Sequence, residues 1–199
     1  FGNAMPPERS QSILAGLMTG VASMVRTLDD LLLAGRIEEG KLPFTPASFS
    51  LRAFLGKCCA AAQPDRKLPS RIDLVLQNNG THVVADEHLL SHIVINLLEN
   101  ALKYSPDDTR IELGADAGPD FLTLSVLDRG IGVPEADREF LFDAFSRASN
   151  TGDKPGSGLG LFIAQKCAEA HRGRMNYMPR PDGSVFSVTV PMNAGSHPN

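Results

Sequence analysis

The stretch 96-NLLENALKYSP-106 sets the reading of everything around it. At about 100° per residue of helix, Asn96, Asn100 and Lys103 fall within an arc of about 60°, while Leu90, Val94, Leu97 and Ala101 line a neighbouring face suited to burial. One side packs, and the next presents two amides and an ammonium. A solvated helix face is the plain alternative, but two asparagines in mid-helix are poor for propensity. Asparagine offers a neutral oxygen to a hard cation such as magnesium, and lysine offers a point charge to phosphate. Asp86 is placed to cap this helix, and Ser105-Pro106 to end it.

Downstream, 126-VLDRGIGVP-134 follows a strand in which Leu122, Leu124 and Val126 share a face. Alternation puts Asp128 on that same buried side, where a carboxylate needs a donor. The exocyclic amine of adenine would serve. Gly130 and Gly132 let the chain turn and a flat base approach the backbone. A tight turn with a capping aspartate is the competing reading. Next, 156-GSGLGL-161 opens a helix, and closely spaced glycines there present backbone N–H groups and the positive end of the helix dipole to an anion. It is not a Walker A loop, because Gly40-Lys41 is followed by Leu42 and Gly56-Lys57 by Cys58. Nor does it have the dinucleotide spacing directly after a strand. From Ser146 to Ser157 there is no apolar side chain larger than Ala148 apart from Pro155, so a mobile lid is expected, with Arg147 and Lys154 in reach of phosphates. Disorder without contact is an equal reading of Lys154.

Around these stretches the pattern predicts a two-layer α/β (α+β) sandwich. Leu14, Leu17, Val21, Met24, Leu28 and Leu31 recur at steps of three and four, a heptad seam on a long N-terminal helix. Gly40 and Pro43 end it in a linker. Residues 50–62 read as a helix. Residues 71–77 and 81–85 read as strands of a hairpin about Asn78-Asn79-Gly80. Strands at 109–113 and 121–128, a helix from Gly158 to about His171, and strands near 174–178 and 185–190 complete the chain.

Composition narrows the function classes. With 199 residues, 42% apolar, the chain can fill one core with an element to spare. A net charge of −4 without a long Lys/Arg block argues against nucleic acid. Cys58, Cys59 and Cys167 have neither disulfide-framework nor zinc spacing, so buried, reduced, cytosolic thiols are expected. No apolar run approaches the roughly 18–20 residues of a bilayer crossing, and no signal peptide opens the chain. The expected location is cytoplasmic. Residues 1–4 read as an expression scar before Met5, and a longer parent, open to membrane anchoring, is expected.

In this order the stretches resemble the boxes of the histidine kinase catalytic domain, within the ATPase superfamily that includes gyrase, a heat-shock chaperone and a mismatch-repair protein. The asparagine box is 96-NLLENALKYSP-106, the glycine boxes are 128-DRGIG-132 and 156-GSGLGL-161, and 140-FLFDAFSR-147 is the phenylalanine box between them. Segment 29-DDLLLAGRIEEGKL-42 looks like the end of the second dimerisation helix of these kinases. The resemblance implies a Bergerat-type ATP-binding fold with a mixed sheet. It implies a partial dimerisation region with linker over 5–42, a catalytic domain over 43–192 and a tail over 193–199.

It further implies that Asn100 ligates magnesium, that Asn96 and Lys103 lie near the phosphates, and that Tyr104 packs beside the nucleotide. Asp128 would read adenine, with Gly130, Gly132 and Val133 shaping its pocket. Gly156, Ser157, Gly158, Leu159, Gly160 and Leu161 would border the triphosphate, with Arg147 above them. Hydrolysing relatives carry a glutamate base four residues before the magnesium asparagine; here that position is Asn96, whose amide cannot take the proton. Glu99, one residue before Asn100, points about 100° away.

The implied function is transfer of the γ-phosphate of Mg-ATP to a histidine, in a homodimeric parent, for relay to a response regulator receiver domain. The acceptor is expected on a helix missing here: His82, His88, His92, His171 and His197 all follow the dimerisation helix. No residue of this chain is therefore assigned a covalent catalytic role. A degenerate regulatory module docking to another kinase, and an anti-sigma-type serine kinase, are the alternatives.

Overall fold

The computed structural model describes residues 21, 24, 25, 27–64, 69–77, 82–154 and 156–192. The chain divides into two units, Phe1–Lys41 and Leu42–Asn199. In the first, helix α1 runs over 27–38. Gly40, at φ 65°, closes it, donating to the Ile37 carbonyl while Lys41 donates to that of Arg36. Of the heptad residues, Val21, Met24, Leu28 and Leu31 are exposed, and Leu14 and Leu17 lie outside the described residues.

The second unit is built on a five-stranded mixed sheet. Strands β2 (Ile72–Leu76), β4 (Ile111–Ala117), β5 (Phe121–Asp128), β7 (Gly183–Pro191) and β6 (Arg174–Arg180) lie in that spatial order. Only the β2–β4 pair is parallel. Alternation drives one sheet face inward, with Leu113, Ala115, Leu122, Leu124, Val126, Val188 and Val190 all buried. Helices α2 (Leu51–Ala62), α3 (Glu87–Tyr104) and α4 (Gly160–Ala170) form the second layer, and α3 packs on both α4 and β5. Its Leu89, Leu90, Ile93, Val94, Leu97, Leu98 and Ala101 make the broad buried stripe of a helix held from two sides. The α+β two-layer sandwich with a mixed sheet is thus present.

The predicted hairpin is not. β2 pairs with β4, whereas β3 (His82–Ala85) pairs antiparallel with β1 (Ala47–Ser50) in a separate two-stranded sheet. Alternation identifies a strand but not its partner, and β1, a stretch of four residues, gave no signal of its own. The Asn78-Asn79-Gly80 turn lies outside the described residues. Strand β4 also runs beyond residue 113, because Ala115 and Ala117 continue its inward alternation with small side chains.

Two helix ends meet at a buried polar joint. Asp86 caps α3, its Oδ1 accepting from Leu89 N at 3.0 Å and its Oδ2 from Thr45 N at 2.7 Å. Its own N–H donates to His171 Nε2 at 3.1 Å, at the end of α4, and His171 Nδ1 lies 2.7 Å from the Cys167 carbonyl. Phe44 meets the imidazole edge-on. Cys58, Cys59 and Cys167 are thiols rather than disulfides; Cys58 and Cys167 are buried and Cys59 half-buried. Burial, with Cys59 and Glu87 adding to it against Lys57, pushes the Cys58 thiol up to about 12, which makes it unreactive.

Candidate nucleotide-binding site

Helix α3 presents Asn96, Asn100 and Lys103 along one edge of its buried stripe, all three half-buried. Asn96 Nδ2 donates to the His92 carbonyl at 2.8 Å, which anchors the amide. Its Oδ1 is turned to the start of α4, where a Cβ on Gly160 would come within 2.7 Å of it. Two turns along α3, a Cβ on Gly156 would meet Lys103 Nζ at 2.6 Å. The asparagine helix and the second glycine stretch therefore run side by side: a side chain at 160 would press on the Asn96 amide, and one at 156 would displace the end of Lys103.

The first glycine stretch reaches the C-terminal end of the same helix. Asp128 closes β5, 5% exposed, and its Oδ1 accepts from Gly130 N at 2.7 Å. A Cβ on Gly130 would lie 2.9 Å from the Tyr104 carbonyl. Burial pushes the Asp128 carboxyl above its ordinary value, against the pull of the Gly130 N–H. A desolvated acceptor thus stands at a strand end, beside a loop without side chains at 130 and 132.

Above these groups lies the loop between Phe140 and Gly160. Its short 3-10 turn Ser149–Thr151 is fixed by Asp137, which accepts from Ser149 N and Oγ, each at 2.7 Å. Arg147 spends its guanidinium on this loop, donating to the carbonyls of Lys154 at 2.7 Å and Gly152 at 3.2 Å. Lys154 reaches in: its Nζ donates to the Lys103 carbonyl and sits 5.5 Å from the Tyr104 ring centroid, with Lys103 Nζ 4.7 Å from the same ring. Of the two lid cations, Lys154 is the one directed at α3, while Arg147 holds the loop together.

In the second glycine stretch Ser157 Oγ accepts from Leu159 N at 3.3 Å. Leu159 is 1% exposed, a core residue whose carbonyl accepts from Ile163 N at 2.9 Å, and Leu161 is half-buried. Val133 has both backbone groups engaged, its N–H by the Tyr177 hydroxyl at 3.0 Å and its carbonyl by Arg138 Nε at 3.2 Å. Sequence reasoning missed Tyr177 and Arg138, because neither sits in a glycine- or asparagine-rich stretch. It also missed Gly183, where a Cβ would collide with the Asp128 carbonyl.

Residues 85–194, more than half of the chain, match the family described as histidine kinase-, DNA gyrase B-, and HSP90-like ATPase. The chain belongs to this ATPase family. Among curated relatives, Sensor protein KdpD of Escherichia coli (strain K12) is 33% identical over 86% of the chain and 19% of its own length. Sensor histidine kinase AruS of Pseudomonas aeruginosa is 35% identical over 95% of the chain and 20% of its own length. The chain thus spans about a fifth of these proteins.

Of solved structures, the catalytic domain of histidine kinase ThkA superposes with a TM-score of 0.63 at 26% identity, covering 76% of this chain and 97% of that one. Acinetobacter baumannii histidine kinase AdeS gives 0.72 at 23% identity, covering 96% and 88%, which shows the shared fold. Full-length ShkA, determined in complex with AMPPNP, gives 0.74 at 21%, covering 99% and 42%. Within this ATPase family the chain therefore has the fold of the histidine kinase catalytic domains.

Proposed function

We propose that this chain is the ATP-holding catalytic part of a two-component sensor histidine kinase, passing the γ-phosphate of Mg-ATP to a histidine on a dimerisation helix outside this sequence, for relay to a response regulator receiver domain. The carrying observation is convergence: Asn96 and Lys103 of one helix lie against Gly160 and Gly156, and the end of that helix lies against Gly130 beside Asp128. In this reading Asp128, buried at the end of β5, accepts from the adenine amine, and Gly130 and Gly132 admit the ring. The start of α4, with the N–H groups of Gly160 and Leu161, faces the phosphates. Lys103 and Lys154 supply positive charge, and Tyr104, already under both ammonium groups, flanks the nucleotide.

The Asn100 amide fits a magnesium ion as a neutral oxygen ligand, half-buried one turn from Asn96. Among the described residues no three His, Cys, Asp or Glu side chains gather as a metal site, so phosphate and water would complete the coordination. The ion would neutralise charge on the transferring group. Asn96 is a neutral amide, anchored by its bond to the His92 carbonyl, and takes no proton from water near neutral pH, which favours transfer over hydrolysis.

Residues 5–42 form the partial dimerisation region and linker, and 43–192 the catalytic domain, of a homodimeric parent. The exposed Val21, Met24, Leu28 and Leu31 suit pairing with a second helix. No described helix is long and apolar enough to cross a membrane, and the domain is assigned to the cytoplasmic side.

Thermal unfolding with ATP, with and without magnesium, tests the reading. A magnesium-dependent rise in Tm following RT ln(1 + [L]/Kd) is expected. Asn100→Ala should remove most of the magnesium increment while leaving binding of free ADP. A wild-type Tm unmoved by millimolar Mg-ATP would discard the proposal.

A further inference from the structure

Three side chains from three different elements converge on residues 131–133. Tyr177 of β6 accepts from Val133 N at 3.0 Å. Arg138, in the short 3-10 turn Glu135–Phe140, donates Nε to the Val133 carbonyl at 3.2 Å and lies 6.0 Å from the Tyr177 ring centroid. Asn150 Nδ2 donates to the carbonyls of Gly132 at 3.1 Å and Ile131 at 3.3 Å. The Val133 N–H is the last donor of this loop, because Pro134 has none.

The origin of Tyr177 gives this brace its meaning. Its ring packs on Phe186, centroids 5.0 Å apart, and Phe186 is the register partner of both Tyr177 and Val126. Val126 is two residues before Asp128 in β5, so the Tyr177 hydroxyl and the Asp128 carboxylate are measured from one cross-strand row. A loop with glycines at 130 and 132 has little stiffness of its own. A hydroxyl fixed to the same sheet as Asp128 holds the loop at a set height relative to that carboxylate.

We infer that Tyr177 is a positioning residue for the base end of the nucleotide site, acting through Val133 to preorganise the loop that shapes the adenine pocket. This rests on the nucleotide reading above. Preorganisation lowers the ordering cost of binding without adding a ligand contact. Because the brace acts at the base end, its loss falls equally on every ligand carrying adenine. A part in lid closure over phosphates would instead penalise ATP alone.

Tyr177→Phe deletes the acceptor and keeps the ring on Phe186 and under Arg138. Calorimetric titration of ATP, ADP and adenosine into wild type and variant, well below the melting temperature, is expected to show about two- to tenfold weaker binding in the variant, alike for all three. That is the range one neutral hydrogen bond is worth. In the wild type, amide hydrogen exchange at Val133 should be slowed, an observation that does not depend on the variant folding. Unchanged affinities, a loss confined to ATP, or an unprotected Val133 amide would overturn the brace while leaving nucleotide binding intact. A wild-type chain that binds none of the three ligands would end the nucleotide reading and this inference with it.

Discussion

Gly156 and Gly158 are two residues apart, yet a side chain at each would meet a different obstacle. A Cβ at 156 meets the flexible end of Lys103, which can move aside, and the cost to folding should be within about 0.5 kcal/mol. At 158 the backbone has φ 74°, and a Cβ would come within 2.9 Å of three backbone atoms of Phe145 and Ser146. Phe145 is itself at φ 63°, so the segment has no slack to yield. Gly158→Ala should therefore cost about 1–3 kcal/mol in urea unfolding and weaken ATP by tenfold or more, with Gly156→Ala as the mild control. Wild-type stability in Gly158→Ala would refute this account of the turn.

The burial of Asp128 was legible because alternation is a local rule, and so was the shared face of Asn96, Asn100 and Lys103. Tyr177 and Gly183 were not, since what each touches lies some 40 to 55 residues away in sequence and no local pattern names it. The sequence offered Arg147 a phosphate role from its place in a glycine-flanked loop; it could not show that the guanidinium also donates to the carbonyls of Gly152 and Lys154 in that loop.

Among elements, the joint of Asp86, Thr45 and His171 ties the start of α3 to the end of α4, the two helices that carry most of the candidate site. Burial pushes His171 down, against the Cys167 carbonyl and the charge of Asp86, so the imidazole is held neutral below its ordinary value. Its contribution is present above about pH 6.5. As the pH falls below that, the unfolded chain binds a proton that the folded chain resists, and stability declines by at most about 1.4 kcal/mol per pH unit.

Asp86 acts in a lower window. Burial raises it, but the hydrogen bonds from Leu89 and Thr45, with His171, outweigh burial and hold it low, so its contribution fades only below the ordinary carboxylate range. Asp128, held high, has the opposite sign and gains on acidification. Denaturant unfolding between pH 7.5 and 5 should thus show a decline that is absent from His171→Asn; an identical slope in the two proteins would remove the histidine from this role.

Element existence was readable almost throughout, because α3 and β5 declare their periods and the Asp86 cap is a one-residue signal. Pairing was not. The two strands about Asn78-Asn79-Gly80 satisfied every local rule for a hairpin, and each found a partner elsewhere: β4 more than thirty residues later, β1 more than thirty earlier.

At the scale of the whole molecule, the ATPase unit holds every candidate nucleotide residue, and the N-terminal unit carries an exposed apolar helix face. That division suits an enzyme whose acceptor is supplied by another segment. The histidines of the described residues, His82, His88, His92 and His171, belong to β3, α3 and the end of α4 within the ATPase unit. The central claim is that three separated segments serve one ligand. Its most direct test is titration of Mg-ATP into isotopically labelled protein while the backbone amide signals of Asn100, Gly130 and Gly158 are followed. All three are expected to shift with a single common midpoint. Movement of only one segment, or midpoints that differ, would contradict the claim.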